Sequence, residues 1–198
     1  MKTTCITIHG VRSKQKGNWQ DEFKEYVKKC GREDINVVNY KYGWKFAVLS
    51  TFPFYQRHCI KKFKKWLYRN IYPKYGNNIV IVAHSFGTLI SYHALKDSFG
   101  CKILILFGGI LHCREDFEKT IPEKIESCEN FHSLEDDVCR LNPIGHSGTW
   151  GFRHKNTKTK KWHRRPYKNK KIVNHRLFLT EHIDYFPRYF PDILKLIA

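Results

Sequence analysis

The 198-residue chain is expected to fold as an α/β protein, with a mainly parallel central sheet flanked by helices on both faces. Three observations predict this. Strand patterns and helix patterns alternate along the whole chain. Several strand segments are apolar almost without a break, Cys101-Lys-Ile-Leu-Ile-Leu-Phe107 above all, as expected of strands covered on both faces. The run from Asn78 to Ile90 ends a strand abruptly in Ala83-His84-Ser85-Phe86-Gly87 and turns at once into a helix pattern. That is how a serine is lifted onto a tight strand-to-helix turn, its hydroxyl pointing out over the end of a sheet.

Length and composition bound the rest. A chain of 198 residues with 41% hydrophobic and 15% aromatic content is long enough to bury a core. Residues 1–198 are therefore expected to form a single domain, with a basic excursion at about 145–175. Lys and Arg number 36 against 18 Asp and Glu, a formal charge of +18. Such a surplus implies a polyanionic neighbour: nucleic acid, anionic lipid or an acidic substrate. The seven cysteines are an odd number, and no two are separated by two residues, which argues against a zinc ribbon. Cys5 and Cys101 sit in apolar runs, where a free thiol acts as a small hydrophobe. The N-terminal residues show no secretory-leader pattern, and no apolar run is long enough to span a bilayer. A reducing cytoplasm is the expected location.

Taken in order, residues 3–8 alternate as a strand that closes on His9-Gly10-Val11. Asn18 is placed to cap a helix over Trp19–Lys29, with Trp19, Phe23, Tyr26 and Val27 at helical spacing and Gly31 as its stop. Ile35–Tyr40 is a second strand. The stretch Gly43–Tyr55 is strongly aromatic. From Gln56 a basic amphipathic helix follows, with Ile60, Phe63, Trp66 and Leu67 on one face and Lys61, Lys62, Lys64, Lys65 and Arg69 on the other. It reads either as a helix packed on the sheet or, with the aromatic stretch, as a lipid-surface contact. The Ser85 strand and a helix over about 86–97 come next. Cys101–Phe107 is broken by Gly108-Gly109, and 110–126 reads as loop plus a short helix. Cys128–Ser133 is a weaker strand, ending in Leu134-Glu135-Asp136-Asp137-Val138. No acidic residue occurs from Val138 to Thr180, while Lys, Arg, Trp150, Trp162 and Tyr167 crowd the second half. That segment reads as a long loop. A last strand over His175–Thr180 leads to Glu181-His182 and a closing helix over Tyr189–Ile197.

A nucleophilic Ser85 needs partners. Donors for an oxyanion would come from the backbone N–H of Val11, after the His-Gly turn, and of Phe86, directly after the serine. A histidine must reach its hydroxyl, and a carboxylate must orient that histidine. In parallel α/β folds such groups gather where strands end. Of the eleven histidines, His58 and His93 lie in helix patterns, and His146, His154 and His163 lie in the basic excursion. His9 reads as structural, and strand geometry is expected to turn His84 away from the site. His182, just past the last strand, is the best-placed base. Asp136 and Asp137 both qualify as the acid, with Asp136 preferred; Asp184 and Asp116 are the remaining alternatives.

The order Ser85, Asp136, His182, with His9-Gly10-Val11 ahead of them, resembles the α/β-hydrolase superfamily over nearly the whole chain. The length and the immediate start on the His-Gly strand look like its minimal, lidless members, the small bacterial lipases and esterases. Gly17-Asn-Trp-Gln-Asp-Glu-Phe23 also looks like a group of bacterial hydrolases of that superfamily. The resemblance implies a minimal α/β-hydrolase fold, a serine nucleophile and a covalent acyl intermediate, with no metal and no organic cofactor. Ala83, where the usual motif has Gly, and the long basic excursion depart from the pattern. The excursion would be a lid over the site, a solvated loop, or a nucleic-acid or partner-protein tether. The expected function is cleavage of a small-molecule carboxylic ester, anionic, lipid or thioester substrates included, with an anionic membrane surface as a further partner. The competing expectation is a catalytically inactive member of the fold that docks on nucleic acid or anionic membrane through its basic segment.

Overall fold

The computed structural model describes residues 2–11, 18–42, 50–96, 100–112, 125–145, 147–152, 154–155, 162–163, 171–182 and 184–197. Strand β1 (Thr3–Ile8) is followed by helix α1 (Trp19–Lys29), β2 (Ile35–Tyr40) and α2 (Pro53–Trp66). A π-helical turn (Leu67–Ile71) and α3 (Tyr72–Tyr75) lead into β3 (Ile79–His84), α4 (Phe86–Lys96) and β4 (Cys101–Phe107). Then come β5 (Ile125–Ser133), two short helices, α5 (Asp137–Arg140) and α6 (Ser147–Trp150), and a short antiparallel pair, β6 (His154–Lys155) with β7 (Trp162–His163). The chain finishes with β8 (Ile172–Leu177) and α7 (Phe190–Ile197).

Six strands form one sheet in the order β2-β1-β3-β4-β5-β8, and every neighbouring pair is parallel. The fold class expected from the sequence is the one observed. Its apolar strands are buried on both faces: Ile79, Ile81 and Ala83 point into the core shared with α2 and α4. Val80 and Val82 point into the opposite core, shared with α1 and α7. The chain first steps from β1 to β2 and then resumes with β3 on the other side of β1. This reversal opens a crevice at the carboxyl ends of β1 and β3, the place where open parallel sheets bind ligands.

Several boundaries differ from the sequence expectation. α2 begins at Pro53, three residues before the basic run; proline at a first-turn position has no amide to lose and a helical φ already set. β5 begins at Ile125, before the expected Cys128, because register pairing extends to Cys101↔Ile125. β8 spans Ile172–Leu177 rather than 175–180, since its edge position leaves only Ile172 buried and its apolar signal is weak. The excursion at 145–175 is not all loop: it holds α6, the β6–β7 pair and the start of β8. The other residues of that excursion, the aromatic residues 43–49, and Asp116 with residues 113–124 lie outside the described residues. Among the described residues no helix is long and apolar enough to cross a membrane, and the described cysteines are all free thiols.

Candidate active site

Ser85 occupies the turn between β3 and α4 with φ of 53°. A β-carbon makes that left-handed conformation unfavourable, so the surroundings must hold the serine there. Hydrogen bonds hold it. The Ser85 amide donates to the Phe107 carbonyl at 3.0 Å, and the Ser85 carbonyl accepts from the Thr88 hydroxyl at 2.6 Å. Two glycines allow the approach. A β-carbon on Gly10 would lie 2.7 Å from Ser85 Cβ, and one on Gly87 would lie 2.7 Å from the Ile8 carbonyl oxygen. The glycine after the serine is therefore required for α4 to pack against the end of β1. Ala83 is fully buried and causes no such conflict.

Val11, directly after Gly10, is half-buried and packed against the core on the α2–α4 side. Phe86 is the first residue of α4, and a first-turn amide has no acceptor within its own helix. The Phe86 ring is fully buried. Tyr42 meets it edge-on with ring centroids 5.7 Å apart, and Tyr55 stacks on it at 6.0 Å. Tyr42 also stacks on His9 at 4.4 Å, which fixes the His-Gly turn from above.

Asp136 and His182 meet. The loop after β5 and the loop after β8 bring His182 Nδ1 to 3.0 and 2.9 Å from the two oxygens of Asp136. Asp136 is fully buried. Burial alone would raise its pKa, but the His182 hydrogen bond, its charge and the Cys139 amide outweigh that and hold it below the ordinary value. The carboxylate is thus ionised at neutral pH and accepts the proton on Nδ1, leaving the Nε2 lone pair free for a base. Tyr185 donates its hydroxyl to Asp136 at 3.0 Å, and the Cys139 amide donates at 2.8 Å as Asp136 caps α5. Asp137 turns outward to pair with Arg140 at 2.8 Å, and Asp184 is exposed.

His84 is a correction. Strand geometry does not turn it away: its Nε2 lies 3.0 Å from the His182 carbonyl oxygen, and the two rings sit 4.7 Å apart. Burial first, and the neighbouring His182 second, push its pKa down to about 3. A neutral His84 with a proton on Nε2 donates to that carbonyl and so ties the His182 loop to the residue next to Ser85. Three more contributors escape sequence reasoning. Gly108, at φ of 52°, leaves His182 room, since a β-carbon there would meet the imidazole at 3.0 Å. Tyr185 and Cys139 each sit three positions past a site residue, and that spacing was the only available signal.

Asp136, Cys139 and His182 offer atoms within 4.8 Å of one another, a spacing that a metal ion also uses. Their donors are already committed. The Cys139 thiol donates to the Gly108 carbonyl at 3.1 Å, and burial, reinforced by the Asp136 charge, holds it protonated. His182 Nδ1 is taken by Asp136.

Among solved structures the chain is similar over its full length to esterase PE8, at 13% identity with 100% of this chain and 93% of that one covered and a TM-score of 0.65. The chain has the α/β-hydrolase fold. Arabidopsis thaliana SOBER1 shares this fold with the chain at 12% identity, with 100% and 98% covered and a TM-score of 0.60. The Pyrococcus furiosus esterase Pf2001 shares it at 14% identity, with 98% and 80% covered and a TM-score of 0.57. No family model matches the sequence, and none of the curated proteins matches it. Within this α/β-hydrolase fold, Ser85 and the loops bearing Asp136 and His182 all stand at the carboxyl ends of their strands.

Proposed function

We propose that the protein is a serine hydrolase that cleaves a carboxylic ester through an acyl-enzyme. The observation that carries this reading is a left-handed Ser85 at the β1/β3 crevice, next to His84, whose ring bonds the His182 carbonyl, with His182 Nδ1 held by a buried, ionised Asp136. In the first step Ser85 Oγ bonds to the acyl carbon and its proton passes to His182 Nε2. The carbonyl electrons move onto oxygen, where the amides of Val11 and Phe86 receive the charge. Each such donor contributes roughly 3–4 kcal/mol to transition-state stability. As the carbonyl re-forms, the bond to the leaving alcohol breaks and His182 returns the proton to the leaving oxygen. Water then repeats the sequence on the acyl-serine and releases the acid. Asp136 keeps Nδ1 protonated and stabilises the imidazolium. Lipid esters and thioesters fall within the same chemistry.

A fluorophosphonate probe tests the reading. Labelling of the wild type that is lost in Ser85→Ala, with unchanged circular dichroism, is expected. A wild type that neither labels nor hydrolyses a panel of p-nitrophenyl esters would overturn it.

A further inference from the structure

A groove of about 600 Å³ runs along the flank of the molecule between α2 and α4, away from the Ser85 crevice. Arg57, Lys61 and Lys64 of α2 and His93 and Lys96 of α4 line it, with Ile60 on its floor, and none of its described lining residues is acidic. The surrounding sequence is equally one-sided: no Asp or Glu occurs between Asp34 and Asp97. This concentration of cations is built into ordered helices, distinct from the basic excursion after β5. Two aromatic rings adjoin it. Phe52 and Phe54, at the start of α2, are 44% and 68% exposed, and their rings lie 5.7 Å apart. Between them and the core, Tyr55 turns inward onto Phe86, so the exposed pair stands at the same end of the molecule as Ser85.

Helical spacing sets an apolar ring and cations on one exposed face of α2. On the exposed face of α2, Arg57 and Lys61 follow Phe54 by three and seven residues, or roughly 4.5 and 10 Å along the axis. Nucleic acid would be better served by rings set within the phosphate track, whereas Phe52 and Phe54 flank Pro53 at the groove's end and are not themselves part of its lining. We propose that the α2–α4 flank docks on an anionic phospholipid bilayer, with Arg57, Lys61, Lys64 and Lys96 on lipid phosphates and Phe52 and Phe54 entering the headgroup–acyl boundary. Docking is independent of the chemistry at Ser85.

The test is sedimentation of the full chain, wild type and Ser85→Ala, with vesicles of equal parts phosphatidylglycerol and phosphatidylcholine or of phosphatidylcholine alone. Both proteins are expected to partition at least about tenfold better onto the anionic vesicles, with affinity falling as salt rises. Each basic side chain near such a surface contributes about fivefold, so R57E/K61E/K96E is expected to lower partitioning at least about a hundredfold. F52S/F54S is expected to lower it about tenfold while keeping the salt dependence. All these residues are exposed, so circular dichroism and the thermal midpoint should not change; R57Q/K61Q/K96Q gives a milder variant if the charge reversal misfolds. Equal binding to neutral vesicles, a charge-reversed or Gln-substituted protein that still binds like wild type, or indifference to F52S/F54S would each overturn the proposal. So would tighter binding to a DNA oligonucleotide than to the anionic vesicles.

Discussion

Among the described residues, two histidine–carboxylate pairs look alike on paper and differ in everything around them. His182 with Asp136 and His175 with Glu129 both join a residue of the β5 region to one at or just past β8. His175 lies within β8 and presents Nε2 to Glu129 at 2.6 Å. Its ring lies flat on Phe131 at 4.4 Å, and Glu129 also accepts from the Ser127 hydroxyl. Burial would raise the Glu129 pKa, but His175 and Ser127 bring it below the ordinary value. His182, by contrast, lies in a loop and presents Nδ1, so its Nε2 is the nitrogen left for other work. Its side chain is 11% exposed against 35% for His175, and its carboxylate is fully buried. What separates them is place: one pair sits within the strands, whereas the other sits beyond their carboxyl ends, at the crevice with the left-handed serine.

The largest effects should separate the pairs by activity. Ser85→Ala and His182→Ala are each expected to lower kcat for an ester by at least about 10⁴-fold, whereas His175→Ala should leave kcat/KM within about twofold. Steady-state kinetics on p-nitrophenyl esters decides it, and comparable losses at His175 and His182 would erase the distinction. Next, Asp136→Asn should lower kcat by about 10⁴-fold by disfavouring the required tautomer. Glu129→Gln should leave kcat alone and remove about 1–3 kcal/mol of stability, read from urea unfolding, because it weakens a charge-assisted hydrogen bond.

A third prediction concerns pH, and only one pair has the residue for it. His84 has a folded pKa of about 3 against an ordinary value of 6.5. As pH falls below 6.5 the unfolded chain takes up this proton first. Stability therefore declines from about pH 6.5 toward 3, by up to about 1.4 kcal/mol per pH unit. Asp136 and Glu129 add to the loss only at lower pH, as it falls from their ordinary values of 3.8 and 4.5 through their depressed folded values. Between pH 6.5 and 5, H84Q should lessen the slope of the unfolding free energy, His9, whose pKa burial also lowers, supplying the rest; an unchanged slope would remove His84 from the account. The smallest effect is expected from Tyr185→Phe. Losing its hydrogen bond to Asp136 should lower kcat/KM by less than about tenfold, and a change of zero would mean that the Cys139 amide alone positions the carboxylate.

Much of this was legible in the sequence because it depends on local patterns. Apolar runs without alternation, such as Cys101–Phe107, announce strands covered on both faces. The Ala83-His84-Ser85-Phe86-Gly87 turn is local as well, since a small residue must follow the serine wherever a helix packs against a neighbouring strand. Asp136 is preferred to Asp137 as the third residue past Ser133; that Asp136 meets His182 while Asp137 pairs with Arg140 is a matter of tertiary pairing. Edge strands are harder: β8 is half-solvated, so its apolar signal fades and points to a start three residues late.

The sequence by itself thus determined the sheet class, the serine turn and the candidate order of acid and histidine. Only the tertiary structure decided that His84 ties the His182 loop to the Ser85 turn, that Gly108 leaves the imidazole its space, and that Tyr185 and Cys139 share Asp136. It also decided that the cations of α2 and α4 line one groove. Each of these depends on which strands become neighbours in the β2-β1-β3-β4-β5-β8 order. Pairing between segments far apart in the chain is set by the packing of the whole sheet, and no local spacing records it.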